Sequence, residues 1–537
     1  LPASYFCLKR LTNRYRKPEV SFLDRRSGVL MHLSSLPGPF GTGGLGSNAE
    51  IFANFLYDSG FRLWQVLPVT PTDGASFYSP YSSGSSFAGN RIFISPEKLA
   101  EDGLLDPDIL ADCHHQGPEI SADYGYTDQM ISKLIRIAWQ RFKEDRQRYS
   151  SLAGDYSDFI RRESLWLKDH ALFTLLKNTF DGLPWNRWPE PFALRDRDTI
   201  GNYIRENGKE EEAELLFFEQ FVFDRQWKTF RRYCRDRGIS LMGDIPMFVA
   251  YDSADVWANR ELFDLDPQGS PIKVAGVPPD YFSATGQRWG NPLYNWKIMQ
   301  KDGFAWWRAR TRKALENFDL VRIDHFRGFS ACWAVPAEED TAENGEWTAA
   351  PGRELLSAIL GMIREEGLQA SGLVAEDLGI ITEDVRELME EFVLPGMKVL
   401  LFAFDGEIGR NPYAPHNHRP DSVVYTGTHD NNTVRGWWEN ESDERMRSLV
   451  SEYTGLEISA LNVSEVFVNM ALSSTSGLAV IPMQDILSLG GSARMNVPGV
   501  AAGNWLWRMS TDQLQSLTGE DSRIKARFKR SNRIYGR

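Results

Sequence analysis

The chain has 537 residues, 42% of them apolar and 25% charged, enough for a large core and for insertions around it. Its net charge of −13 gives no electrostatic support for a nucleic-acid partner and leaves neutral or anionic small substrates. No apolar run approaches the ~18–20 residues of a membrane span. Four scattered cysteines, Cys7, Cys113, Cys234 and Cys332, lack a CxxC pair, which argues against a zinc site or disulfide framework and fits a reducing compartment.

In chain order, residues 1–26 carry Lys9, Arg10, Arg14, Arg16 and Lys17 without an apolar h-region, so they read as a leader or an expression-derived segment, not a secretion signal. Gly28–Leu33 reads as a buried strand, followed by a Pro/Gly-rich loop from Ser34 to Gly46. A helix with Ile51, Phe52, Phe55 and Leu56 on one face stops at Gly60, and Phe61–Leu67 is a second strand. This β-loop-α-β unit implies a parallel pair. The next strand is Ile239–Pro246. The residues between read as mainly helical, an inserted subdomain at about 92–238, with a helix from Glu210 to Arg237 whose acids come first and bases last.

Further strands are predicted at Leu320–Asp324, Gly372–Glu376, Met397–Phe402, Ser422–Thr426 and Leu478–Pro482. Helices are predicted at Phe304–Phe318, Arg353–Glu366, and Val385–Phe392 behind a Thr382 cap. Eight strands near residues 29, 63, 241, 321, 373, 399, 424 and 480 indicate an α/β fold, a (β/α)8 TIM barrel over 27–510. It would have large, mainly helical insertions in its βα loops, an active-site loop at about 250–300, a tail at 511–537, and no separate C-terminal β-domain. A dinucleotide site is disfavoured: Gly41, Gly43, Gly44 and Gly46 lack GxGxxG spacing, and Pro37 and Pro39 interrupt the loop.

A TIM barrel carries its site at the carboxyl ends of its strands. Those ends present Asp244, Asp324, Glu376 and Asp430, with Arg322, His325 and His429 nearby. Glycosidic cleavage needs two carboxyl groups flanking the bond, about 5–5.5 Å apart in retaining enzymes. Each acid also has a plainer reading. Asp324 is placed to pair with Arg322, Glu376 or Asp377 to cap a helix, and Asp430 to form an Asx turn. Acids at four of eight strand ends, beside basic or imidazole neighbours, weigh against those readings together. No spacing argues for a catalytic metal. The 17 Trp, 18 Tyr and 31 Phe are mostly core, though flat aromatic faces also suit sugar clefts.

Longer strings then carry a resemblance. They include SLPGPFGTGGLG from Ser35, Ser79-Pro80-Tyr81, Phe87-Ala88-Gly89-Asn90, Gly243-Asp244-Ile245-Pro246 and the stretch from Gly276 to Trp296. They continue with Arg322-Ile323-Asp324-His325-Phe326-Arg327-Gly328, Ala375-Glu376-Asp377-Leu378-Gly379, Gly396-Met397-Lys398-Val399-Leu400, Thr428-His429-Asp430-Asn431, and Ala493 to Gly499 with Gly503-Asn504-Trp505. In these motifs, from about Ser27 to Arg508, the chain resembles glycoside hydrolase family 77, the 4-α-glucanotransferases. Leu401 departs from the polar residue expected there.

The resemblance implies transfer of a 1,4-α-glucan segment to the 4-hydroxyl of an acceptor glucan or glucose, with retention through a covalent glucosyl-enzyme. It implies Asp324 as nucleophile, Glu376 as general acid/base and Asp430 as transition-state stabiliser. Arg322, His429, Asp244, Tyr81 and Asn496 would bind substrate, as would Asp280, Tyr281, Gln287 and Trp289 on an overhanging loop. No metal or organic cofactor, no nucleic acid and no membrane enter this expectation, and the setting is cytoplasmic. The rivals are an α-1,4-glucan hydrolase with the same acids, a non-catalytic glucan-binding barrel and a nucleotide-dependent sugar transferase.

Overall fold

A computed structural model describes residues 25–279, 283–368 and 372–537. The fold subunit that positions everything else is a ring of eight parallel strands. They are β1 (Arg26–Leu30), β2 (Leu63–Gln65), β3 (Ser240–Ile245), β6 (Leu320–Ile323), β9 (Leu373–Ala375), β10 (Gly396–Val399), β11 (Ser422–Tyr425) and β12 (Leu478–Pro482). Pairing runs β10-β11-β12-β1-β2-β3-β6-β9, all parallel. These strands are buried on both faces, which is why the sequence shows them as continuous apolar runs between helical patterns.

The seam between β9 and β10 is closed by Ala375 N–H to the Pro395 carbonyl, 2.9 Å, and by Met397 N–H to Asp377 Oδ1, 2.6 Å. A Cβ at Gly396 would lie 2.5 Å from Asp377 Oδ2, so only glycine lets the carboxylate reach the neighbouring strand. The eight strands expected from the sequence are these eight.

The long β2–β3 connection is helical, as expected. Its spine is the 27-residue helix Glu210–Asp236, with Glu210, Glu211 and Glu212 in the first turn. It packs on Tyr124–Glu144 and Leu167–Thr179, through an aromatic cluster in which Phe218 stands 5.2 Å from both Trp139 and Phe142. Trp227 Nε1 donates to the Asn317 carbonyl (3.0 Å) and Phe230 meets Trp64 edge-on at 5.4 Å, fixing the insertion to the barrel wall.

A second sheet was not expected from the sequence. Strands β4 (Lys273–Val277), β5 (Gln287–Pro292), β7 (Ala331–Pro336) and β8 (Glu346–Ala349) pair antiparallel in the order β5-β4-β7-β8. This arm has its own small core of Val274, Val335 and Ala342. It grows out of the loops after β3 and β6, so it stands at the carboxyl ends of the barrel strands.

Residues 511–537, expected as a tail, form the helices Thr511–Thr518 and Arg523–Tyr535. The first opens with a capping box of Ser510 and Gln513. Both dock on the barrel's foot: Phe528 packs on Phe61 at 5.0 Å, and the Asn532 side chain accepts from Ser27 Oγ (2.7 Å) and donates to the Ser59 carbonyl (3.0 Å). Residues 1–24 of the expected leader lie outside the described residues, and strand pairing begins at Arg26. The helices expected at 304–318, 353–366 and 385–392 form at Ala305–Asn317, Gly352–Glu365 and Glu383–Phe392. Thr382 stands at the last one's N-cap, but its hydroxyl accepts from Arg327 Nη1 (3.0 Å) instead of capping the helix. Among the described residues no helix is long and apolar enough to cross a membrane.

Candidate active site

Register brings the acids together. Ile323 pairs with Ala375, so Asp324 and Glu376 each follow the last paired residue of adjacent strands. Glu376 N–H donates to the Ile323 carbonyl (3.0 Å) and Phe326 N–H to the Glu376 carbonyl (3.2 Å). The Glu376 carboxylate turns back over this junction, Oε2 accepting from His325 N–H and Oε1 from Leu378 N–H, each at 2.8 Å. Neither Glu376 nor Asp377 caps a helix; Asp377 closes the barrel seam.

Arg322 is the hub. Its guanidinium is buried and forked between two carboxylates, Nη1 to Asp244 Oδ2 at 2.6 Å and Nη2 to Asp324 Oδ1 at 2.8 Å. The plainer reading of Asp324 as half of an ion pair with Arg322 therefore holds as geometry. It does not compete with a chemical role, because 26% of the Asp324 side chain remains open beside the pair. Tyr81 Oη donates to Asp244 Oδ2, 2.8 Å, and its ring stacks on His429 at 5.0 Å and 15°.

On the opposite side, His429 Nε2 lies 3.2 Å from Asp430 Oδ2. Asn496 Nδ2 donates to Asp430 Oδ1 at 2.6 Å. Asp430 makes no Asx turn. The loop's own bond is made by Asn431, whose Oδ1 accepts from the Thr428 N–H three residues back at 2.9 Å, and Asp430 faces the cleft.

The electrostatics separate the acids. Burial pushes the Glu376 pKa up to about 7; Arg322 and the two backbone donors oppose that rise, and the Asp324 charge adds to it. Burial likewise pushes Asp244 up to about 6 against the pull of Arg322. Burial also works to raise Asp430, but His429 and the Asn496 bond hold it below the usual carboxylate range. His429 moves the other way: burial pulls it down, and Asp430 prevails in raising it. Asp430 keeps 43% of its side chain open to the cleft, so water screens part of that coupling until the cleft is filled.

The cleft has about 450 Å³ of room, bounded by Tyr81, Phe248, Asp324, His325, His429, Asp430, Asn496 and Trp505, with Gln287 and Trp289 contributed by β5. Seven of the expected residues line this cleft: Tyr81, Gln287, Trp289, Asp324, His429, Asp430 and Asn496; Arg322 and Asp244 join them through their bonds to Asp324 and Tyr81, and Glu376 through the His325 N–H. Asp280 and Tyr281 lie outside the described residues. Sequence reasoning passed over Arg494. Its Nη2 donates to the Asp430 carbonyl (2.7 Å) and its Nε to the Asn496 carbonyl (2.6 Å), tying two loops together. The signal was the Arg-Met-Asn string itself. Among the described residues no group of three or more His, Cys, Asp or Glu side chains is arranged to hold a metal ion.

The family profile described as 4-alpha-glucanotransferase, glycoside hydrolase family 77, matches residues 31–515. The chain belongs to this family. A 4-alpha-glucanotransferase of Aquifex aeolicus is 42% identical over 513 residues, 96% of this chain and 99% of that one. The chloroplastic/amyloplastic 4-alpha-glucanotransferase of Solanum tuberosum is 42% identical over 506 residues, 93% of this chain and 85% of its own. Among solved structures, the amylomaltase of Streptococcus agalactiae in complex with acarbose aligns with a TM-score of 0.87 at 33% identity, covering 96% of this chain and 99% of that one. The candidate site lies on the carboxyl rim of a TIM barrel, with part of its wall supplied by an antiparallel arm.

Proposed function

We propose that this chain is a retaining 4-α-glucanotransferase that moves a segment of a 1,4-α-glucan to the 4-hydroxyl of another glucan or of glucose. Protonated Glu376 gives its proton to the glycosidic oxygen while an Asp324 oxygen attacks the anomeric carbon. The carbon–oxygen bond to the leaving sugar breaks, the reducing-end fragment departs, and the donor segment remains as a β-linked ester on Asp324. Glu376, now a carboxylate, takes the proton from the acceptor's 4-hydroxyl. That oxygen attacks the same carbon and expels Asp324, so two inversions give net retention.

The observation that carries this reading is the pairing at the β6–β9 junction. One acid is hydrogen-bonded by a forked, buried arginine, while its neighbour is raised to about 7 by burial. Asp430, charged beside His429, is placed to bind sugar hydroxyls and to stabilise positive charge on the ring in the transition state. Gln287 and Trp289 give the acceptor side a polar and a flat apolar contact. A reducing, cytoplasmic setting is supported by Cys113, Cys234 and Cys332, which are unpaired and buried.

The test is incubation with maltotriose, products being resolved by chain length, beside Asp324→Asn. Glucose plus a ladder of longer maltooligosaccharides, lost in the variant, is the expected result. Maltose and glucose alone would make the chain a hydrolase, and binding without turnover would make it a glucan-binding barrel.

A further inference from the structure

His325 follows Asp324 and has a backbone that few side chains adopt, φ 48° and ψ 53°, in the left-handed region. That turn has a use. It aims the His325 N–H at Glu376 Oε2, 2.8 Å away, and so supplies one of two backbone donors that fix the acid. The side chain leaves the same residue in another direction. Its imidazole meets the Trp289 ring edge-on at 4.8 Å, and Phe248 flanks it at 6.3 Å. Burial lowers the imidazole's pKa to about 4, so near neutrality it is an uncharged packing face. Trp289 belongs to the arm and is 39% exposed, and its indole N–H donates to Gln287 Oε1 at 3.2 Å. One residue therefore touches both the acid on the barrel rim and the aromatic wall on the arm.

We propose that His325 is a positioning residue with two separable functions: its left-handed backbone sets Glu376 over the scissile bond, and its ring braces Trp289 so that the acceptor sugar is held in line with that acid. This rests on the reading of Glu376 as acid/base. An acceptor that presses on Trp289 then presses, through the imidazole, on the turn that orients the group about to deprotonate it. Transfer and water attack would differ in their need for the ring and share their need for the backbone.

The two functions predict an order that packing alone reverses. Glycine deletes the ring but adopts positive φ freely. Asparagine tolerates it, and a β-branched valine is strained there. If the ring merely filled space, valine, which fills more of the gap, would outperform glycine. The experiment measures kcat and KM for cleavage of maltotriose, together with the ratio of transfer to hydrolysis, in H325G, H325N and H325V. Thermal unfolding is followed in each.

The expected result is a several-fold fall in the transfer ratio in all three variants. The cleavage kcat of H325V is expected to be at least about tenfold below those of H325G and H325N at similar KM. Trp289→Ala is expected to lower the ratio little further in the H325G background, since the two share one interaction. Equal or better kcat in H325V would overturn the backbone function. An unchanged transfer ratio in H325G and H325N would overturn the bracing function. If H325V fails to fold, the H325N ratio and the H325G–Trp289→Ala coupling still decide the second function, and H325A replaces valine for the first, with a smaller expected gap below glycine. Full turnover by Glu376→Gln would instead remove the acid/base reading itself.

Discussion

The two walls of the cleft are built on opposite principles. On the barrel rim each of the four acids is held by at least one fixed partner: Asp324 and Asp244 by Arg322, Glu376 by two backbone N–H groups, Asp430 by His429 and Asn496. The arm offers Gln287 and Trp289 from a half-exposed strand, on a sheet whose own core is three small residues. Bond breaking requires atoms held within fractions of an ångström, and strand ends of a closed barrel supply that. Accepting sugars of different lengths requires a surface that binds loosely through flat contact. The chemistry is therefore expected to fail when the rim is touched, and the choice of acceptor to shift when the arm is.

The sharpest break lies on the rim. On the proposed mechanism Asp324→Asn removes the nucleophile, and Glu376→Gln removes the transferable proton. Each is expected to lower kcat by about 10²–10⁴-fold or more, with the fold retained, checked by turnover of maltotriose and circular dichroism. Arg322→Leu should loosen two rim acids at once, Asp324 and Asp244. It leaves Asp244, fully buried, without its cation, and truncating one partner of a buried pair costs about 3–5 kcal/mol. Urea unfolding would measure it. Arg322→Lys restores the charge but not the fork, so it should recover stability better than rate; equal recovery of both would mean that orientation of Asp324 by the fork is unimportant.

The contrast between rim and arm also explains what the sequence made legible. The eight barrel strands were readable because strands covered on both faces are uninterrupted apolar runs, and the acids were readable because they end those runs. The arm was not. Its β5, Gln-Arg-Trp-Gly-Asn-Pro, is polar and half-exposed, and β8, Glu-Trp-Thr-Ala, is mostly exposed, so neither shows a buried face to detect. Arg322 was placed beside Asp324 from their spacing, but its second grip, on Asp244, joins residues 78 apart in the chain. The Arg494 bond to Asp430 spans 64 residues and was equally out of reach. Nor does any residue type announce that His325 will turn left-handed; that follows from the β6–β9 junction closing around Glu376. The tail was readable in principle, since Ser510 and Gln513 spell a capping box before Leu514 and Leu517.

A pH titration sharpens the same division at an intermediate scale. As the proposed acid, Glu376 must carry its proton to start cleavage, so kcat/KM should fall as pH rises past about 7, approaching tenfold per unit. The linkage to stability has the same sign. Glu376 holds its proton more tightly folded than unfolded, since its pKa is raised from an ordinary 4.5 to about 7. Its contribution to stability is complete below about 4.5 and is lost as pH rises through about 7. Asp244, raised from 3.8 to about 6, acts in the same direction over a lower window. Denaturant midpoints of the wild type and Glu376→Gln, taken from pH 5 to 8, should diverge as pH rises; parallel curves would mean that Glu376 is not held protonated. The arm carries no part of this dependence, and Trp289→Ala should leave the profile's shape in place.

The smallest expected effect is on the arm and is the most specific. Trp289→Ala removes a ring that is 39% exposed and whose hydrogen bond, to Gln287, is itself on the surface. Its cost in stability should therefore stay within about 0.5–1 kcal/mol. What the ring does is present a flat face beside the cleft, where an acceptor sugar would displace water. On the proposed mechanism its loss would let water reach the glucosyl ester on Asp324 and cost the sugar a contact, both of which push the partition one way. The ratio of transfer to hydrolysis should fall several-fold while the rate of donor cleavage, set on the rim, falls less. Chain-length analysis of maltotriose digests, with released glucose counted against longer products, reads both quantities from one sample. A variant that lost cleavage and transfer in equal measure would show that the arm shapes the rim after all, and that the two walls act as one.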